Sequence, residues 1–191
     1  MNYKNIFKVA ISLISSPAKA WEDISVNQDR QKVIEEFVYP MIGICGIVWF
    51  AASIIRLGWS TPMAFQQAMI DCCGVAVALF GGYFLSIYLL SRYVYRWFNI
   101  QVAYQNLPVF IGYAMTVTFF ADIISGIYPP LQMATLIIQL YTVYIIYMGA
   151  IPMMKVEASQ RMSFTISSSI VIIVCPTLIE IIYQNLITIL N

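Results

Sequence analysis

The chain has 191 residues, 61% of them hydrophobic and only 10% charged, with a formal net charge of +1 and a mean hydropathy of +0.80. So few charged side chains cannot coat a soluble protein of this length, and the composition predicts a protein whose partner is the lipid bilayer. The small net charge excludes nucleic acid as a partner, because phosphate neutralisation supplies most of that affinity, and the absence of histidine excludes imidazole catalysis and histidine-bound zinc or haem.

Residues 1–36 form a short leader before the first apolar stretch. Apolar side chains recur along its first part at helical spacing: Tyr3, Phe7, Ala10, Ile11 and Ile14. This pattern predicts an amphipathic helix that lies in the membrane interface. Ser16 followed by Pro17 is typical of a helix start and predicts a second short helix. The opening residues also resemble a secretory signal, but Lys8 interrupts the apolar core, so we expect an uncleaved leader.

Five apolar stretches follow, each long enough for the roughly 20 helical residues that a bilayer requires. They are residues 37–55, 68–90, 107–127, 131–154 and 162–190. The connectors between them are short and carry turn residues or charges. The sequence therefore predicts an all-α, polytopic membrane protein, in which the leader precedes a bundle of five transmembrane helices over residues 37–191.

Lysine and arginine are distributed unequally between the two predicted sides. The leader and the second and fourth connectors carry Lys4, Lys8, Lys19, Arg30, Lys32, Arg92, Arg96, Lys155 and Arg161. The other side has only Arg56. The positive-inside rule predicts a cytoplasmic N-terminus, and an odd number of spans then places the C-terminus outside. The basic face either serves topology and anionic headgroups or offers a site for a protein partner.

Small residues recur at four-residue intervals along the second span, at Gly74, Ala78 and Gly82. Such a ridge allows a neighbouring helix backbone to approach closely in lipid. Packing within the chain is the favoured interpretation. A face for a homo-oligomer is the alternative.

Three acidic side chains fall inside predicted spans, where a charge costs about 2.5 to 3.5 kcal/mol. Asp71, Asp122 and Glu180 all lie in the predicted outer half, as does Arg56. Polar residues share helix faces with these acids or form one stripe along the fourth span: Thr118, Gln184, Thr188, Gln132, Thr135, Gln139 and Thr142. Together they predict a polar cavity that holds a cation or a small polar or cationic solute.

Other interpretations of the same residues stay open at this stage. In the first alternative, Arg56 pairs with one acid, Asp71 and Asp122 reach the outer headgroups, and Glu180 stays neutral. No binding site then exists. A proton relay and a lipid-headgroup pocket are further alternatives.

Catalytic patterns do not accompany these acids. A serine or cysteine nucleophile would have no histidine base, and no phosphate-binding loop is present. The four cysteines lie in apolar stretches without metal-ligand spacing. We therefore expect no enzyme activity, no cofactor and no metal centre.

Several short motifs resemble the Yip-one family, five-span membrane proteins named for interacting with Ypt and Rab GTPases. The leader carries Pro17, Trp21 and Ile24, and EEFVYP follows at 35–40. Ile111-Gly112-Tyr113-Ala114 resembles the family's Gly-Tyr element, and residues 141–173 resemble its aromatic fourth span, charged connector and small-residue start of the fifth. The compact chain looks like the bacterial members.

The resemblance implies a non-enzymatic scaffold or adaptor that acts through helix packing and contacts at its cytoplasmic face. It implies the bacterial inner membrane, with the ER or Golgi membrane as the alternative. Because the leader is brief, we assign no GTPase contact to particular residues. A transporter or channel that uses the outer acidic pocket is the rival function.

Overall fold

The computed structural model describes residues 3–26, 30–59, 61–98 and 103–190. The side chains at 3–5, 30, 93–98, 103–105, 132 and 190 lie outside this description. Within it the chain is all-helical, with no strand. The leader forms α1 (Tyr3–Ser15) and α2 (Pro17–Val26), and α2 begins at the proline that the sequence predicts as its first position.

The entry to the membrane domain is a helix of changing pitch. Helix α3 (Arg30–Val33) leads through a π-helical turn (Ile34–Val38) into α4 (Tyr39–Leu57). The Tyr39 amide bonds the Ile34 carbonyl, five residues back. Pro40 has no amide hydrogen to donate, which favours such an irregular turn just before it.

Helix α5 (Pro62–Phe98) starts at a proline and extends beyond the predicted span at both ends. The predicted connector at 91–101 contains neither glycine nor proline, so nothing in its first part ends the helix. Helices α6 (Ala103–Ala114) and α7 (Thr116–Ile127) meet at Met115 and form the third span. The Phe119 amide bonds the Met115 carbonyl over 3.0 Å, so the hydrogen-bond ladder continues through the junction.

The fourth predicted span, 131–154, is shorter and broken. It consists of α8 (Gln132–Gln139) and α9 (Tyr141–Gly149), which meet at Leu140. The Leu140 amide bonds the Ile137 carbonyl over 3.1 Å, a three-residue spacing that tightens the turn. Pro152 cannot continue the helix, and α9 ends before it. Helix α10 (Arg161–Leu190) completes the chain with Pro176 inside it.

Four helices of the described chain are long and apolar enough to cross a membrane: Gln31–Leu57, Pro62–Arg92, Asn106–Ile127 and Arg161–Ile189. Met133–Gly149 is a shorter apolar helix. It nevertheless runs from α7 at one end of the bundle to the leader at the other, because Thr135 bonds Ser125 and Gly149 packs on Trp21. The all-α membrane fold is confirmed, and the fifth crossing stays a prediction.

Helices α5 and α10 pack closely along the small-residue ridge. A Cβ on Gly74 would lie 2.9 Å from Cε1 of Tyr183, and one on Gly82 would lie 2.6 Å from the Cα of Pro176. Ala78, between them, is buried. Helix α10 thus occupies this face of α5 within the same chain.

Candidate functional site

A cavity of about 130 Å³ lies between five helices, in the half of the bundle away from the leader. Its acidic and amide side chains come from three helices: Asp122 from α7, Gln139 from α8 and Glu180 from α10. Its other lining residues are Trp49, Val75, Ala78, Leu79, Thr118, Ser125, Thr135, Leu136, Ile173, Pro176 and Thr177. The cavity therefore combines two carboxyl groups with an apolar wall.

Both acids are half-buried, and a neighbouring side chain bonds each residue. The Gln184 amide donates to Oε1 of Glu180 over 3.1 Å, from one turn further along α10. The Trp49 indole donates to the backbone carbonyl of Asp122 over 3.1 Å, which fixes the indole at the cavity wall. No lysine or arginine lines the cavity among the residues that the structure describes.

Hydroxyl groups complete the polar lining. Ser125 and Thr135 bond each other over 3.0 Å and thereby connect α7 to α8. Thr118 is only 4% exposed, and its Oγ1 has no hydrogen-bond partner. Buried hydroxyls normally find a partner. An unpartnered one on a cavity wall is free to bond a ligand.

The two irregular helices both meet this cavity. Gln139 is the last residue of α8, directly before the break at Leu140. Pro176 interrupts the ladder of α10, because it cannot donate to the carbonyl of Ile172. In membrane proteins, irregular backbone of this kind is tolerated where it lines a cavity or is buried in protein.

Asp71 and Arg56 lie in a separate network between α4 and α5. The buried Ser53 hydroxyl donates to Oδ2 of Asp71, and the Arg56 guanidinium donates to Ser53 Oγ over 3.0 Å. Gln67 donates to Oδ1 of Asp71 over 2.8 Å. Asp71 is thus joined to Arg56 through a serine, and neither residue lines the cavity.

The structure therefore divides the predicted polar site. It brings Asp122, Glu180, Thr118 and Gln139 together, and Gln184 reaches them through Glu180. It sets Asp71 and Arg56 apart, and the Gln132 side chain lies outside the described residues. Sequence reasoning did not assign Trp49 or Ser125 to the site. Ser125 follows Asp122 by one helical turn, a spacing that could have indicated it.

A larger, open concavity of about 420 Å³ lies at the adjoining ends of α4 and α5. Its lining residues are Leu57, Thr61, Met63, Ala64, Gln66, Gln67 and Ile70. None of these residues is charged, so this concavity is larger than the acidic cavity but contains no ionisable carboxyl group. We take the acidic cavity as the candidate site.

A second cluster joins the leader to the membrane domain. The buried Trp21 indole donates to the carbonyl of Ile145 over 2.9 Å, and its ring packs on Phe110 at 5.2 Å between centroids. A Cβ on Gly149 would lie 2.6 Å from Cε2 of Trp21. Only glycine lets α9 pass so close to this ring.

The remaining motif residues extend this cluster. Phe37 packs on Tyr113 at 4.7 Å between ring centroids. A Cβ on Gly112 would lie 2.8 Å from Cγ2 of Val38. The Tyr141 hydroxyl donates to the carbonyl of Ile14 over 2.7 Å. The short motifs of the leader, the first span, the third span and the fourth therefore meet in one place.

Metal-binding clusters are not found in the described ranges. No group of three or more His, Cys, Asp or Glu side chains converges there. All four cysteines are free thiols. The chemistry that the arrangement supports is therefore binding by two carboxylates, an amide and hydroxyls.

Comparison with known proteins identifies one matching family. The model of the Yip1 domain matches residues 11–179. Neither the curated proteins nor the solved structures compared with the chain gave a match. The match includes the leader cluster and Asp122, and ends one residue before Glu180. Because it spans most of the sequence, the chain belongs to the Yip1 domain family of membrane proteins.

Proposed function

We propose that this protein is a non-enzymatic membrane protein that binds a small cation or cationic solute in the cavity between Asp122 and Glu180 and carries it across the membrane. One observation carries the proposal: two acids from different helices share a cavity that has no basic residue in its described lining. When both acids are ionised, they cost free energy at membrane depth unless a positive charge accompanies them.

The separate network of Asp71 supports the same assignment. Ser53 and Gln67 donate to Asp71, and Arg56 reaches it through Ser53, so the protein itself supplies the partners of this acid. Asp122 and Glu180 have no basic residue in the cavity to play the part of Arg56. A ligand is the natural source of that charge.

Flux into proteoliposomes tests this function. The purified protein is reconstituted, and uptake of a panel of inorganic and organic cations is compared with uptake into empty liposomes. We expect uptake of at least one cation, and its loss in Glu180→Gln. No uptake across a broad panel would count against transport.

A scaffold function is the second candidate, and the leader cluster favours it. Trp21 of α2 bonds α9, and Tyr141 of α9 bonds α1, so both leader helices are held against α9. The leader keeps four charged side chains exposed: Lys8, Lys19, Glu22 and Asp23. A fixed, charged surface of this kind suits a protein partner at the face that we propose is cytoplasmic. Arg92 and Lys155 are also exposed, whereas the Arg96 side chain lies outside the described residues.

Arg161 has a structural role instead. Its Nη2 donates to the Tyr147 carbonyl over 2.7 Å, and its guanidinium lies 3.5 Å from the Tyr147 ring centroid. It therefore ties the start of α10 to α9 and is less available to a partner.

Photo-crosslinking from Lys19 tests the scaffold function. A photoreactive residue at 19 should capture one protein of constant size in intact cells, and the same residue at exposed Ile189, at the far end of α10, should not. Crosslinks to lipid alone from position 19 would contradict a protein partner.

A further inference from the structure

The wall of the acidic cavity is amphipathic. Carboxyl, amide and hydroxyl groups supply one part of it. The other part is apolar and comes from Val75, Leu79, Leu136, Ile173 and Pro176. A bare metal ion would gain nothing from the apolar part, because hard cations take oxygen ligands on all sides. A ligand with both ammonium groups and methylene groups would use both parts.

The two carboxyl groups of the lining can each bind one ammonium group. Asp122 and Glu180 contribute one carboxyl group each, and the described lining contains no lysine or arginine. Arg56 lies nearby, 5.9 Å from the ring centroid of Trp49, but it donates to Ser53 in the Asp71 network. With both carboxyl groups ionised, one doubly charged ligand balances the charge of the cavity.

The volume of the cavity limits the size of the ligand. An apolar cavity of about 150 Å³ in another protein accommodates benzene. The cavity here is close to that volume, about 130 Å³. Diaminobutane has as many heavy atoms as benzene, so a short aliphatic diamine fits.

We propose that the cavity binds a short aliphatic diamine, with one ammonium group at Asp122 and the other at Glu180. This inference rests on the proposed function and names its substrate class. The methylene chain lies against Leu79 and Leu136, and the Trp49 ring provides a cation–π surface. The Gln184 amide bonds Oε1 of Glu180, and the lone pairs of Oε2 stay available to the ammonium group.

Thr118 supplies the observation that is independent of the acids. Its hydroxyl oxygen is buried in the wall without a partner, and an ammonium N–H is a donor that such an oxygen accepts. Other buried hydroxyls of the described chain, such as those of Thr142 and Ser168, also have no partner, but Thr118 is the one that lines the cavity. A bound diamine would supply the missing donor to the Thr118 hydroxyl oxygen.

Calorimetric titration of the protein in lipid nanodiscs tests the proposal. Diaminobutane should bind with a stoichiometry of one per chain, and about tenfold or more tightly than butylamine, because the second ammonium group adds a charged hydrogen bond. Glu180→Gln should reduce diaminobutane to the affinity of butylamine. This variant keeps an oxygen that can accept from Gln184, so we expect its fold to be preserved. Asp71→Asn, outside the cavity, should bind diaminobutane as the unmodified protein does.

The outcomes separate this inference from the proposed function. If butylamine binds as tightly as diaminobutane, or if only calcium, sodium or potassium ions bind, the diamine assignment is wrong and cation binding stands. If neither the amines nor these ions bind, both proposals fall. If Asp71→Asn weakens binding as much as Glu180→Gln does, the ligand is not in this cavity.

Discussion

Gly82 of α5 lies so close to Pro176 of α10 that a Cβ on Gly82 would come within 2.6 Å of the Pro176 Cα. The contact is with backbone, which cannot rotate away as a flexible side chain would. Gly43 of α4, by contrast, has nothing within 4 Å of its Cβ position. The two glycines therefore form a matched pair for testing the packing of α5 on α10.

Gly82→Ala should destabilise the protein by about 1 to 3 kcal/mol, the usual cost of overpacking. Gly43→Ala should change stability by no more than about 1 kcal/mol, toward greater stability, because alanine is the better helix former. Thermal unfolding in nanodiscs measures both. Equal effects of the two substitutions would contradict the close approach of α5 and α10.

Thr118→Val should raise the thermal unfolding midpoint slightly, because it removes a buried hydroxyl without a partner and keeps the side chain's shape. If the hydroxyl contacts the ligand, the same variant should bind or transport less. Thr165→Val is the matched control, since its hydroxyl donates to the Arg161 carbonyl over 2.8 Å within α10. A fall in stability for Thr118→Val would show that the hydroxyl has a structural partner.

Ser53→Ala should destabilise the protein by about 1 to 3 kcal/mol, because it leaves Asp71 without its serine donor and separates it from Arg56. Cation flux per folded protein should be unchanged, since Ser53 does not line the acidic cavity. Stability from thermal unfolding and flux from the same preparation distinguish these effects. A loss of flux without a loss of stability would place the Asp71 network in the pathway.

Tyr141→Phe should loosen the leader, because it removes the hydrogen bond from the Tyr141 hydroxyl to the Ile14 carbonyl. Limited trypsin digestion reports the change, since Lys8 and Lys19 are exposed, and cleavage there should be faster in the variant. Tyr144→Phe, at an exposed position in the same helix, is the control. Identical digestion of both variants would show that this bond does not hold the leader.

The faces of the helices could be predicted from sequence, and their partners could not. Helical spacing puts Thr118 and Asp122 on one face of α7, and both line the cavity. Helical spacing does not show which helix a face contacts. The contact between Ser53 of α4 and Asp71, and with it the separation of Asp71 from the other acids, was therefore not predictable. Asp71 instead bonds Ser53, a buried residue of a largely apolar helix.

The break in the fourth span had no local sequence signal. Neither glycine nor proline occurs near Leu140, and these are the residues that usually break a helix. The break coincides with tertiary contacts on both sides: Thr135 of α8 bonds Ser125, and the Tyr141 hydroxyl of α9 bonds the leader. Such contacts override local propensity, and a single sequence does not reveal them.

The most direct test of the account is a comparison of cation uptake by proteoliposomes containing the unmodified protein, Asp122→Asn, Glu180→Gln or Asp71→Asn. If the cavity between Asp122 and Glu180 is the binding site, the first two variants lose uptake and Asp71→Asn retains it. Uptake that survives in both Asp122→Asn and Glu180→Gln would contradict the central claim.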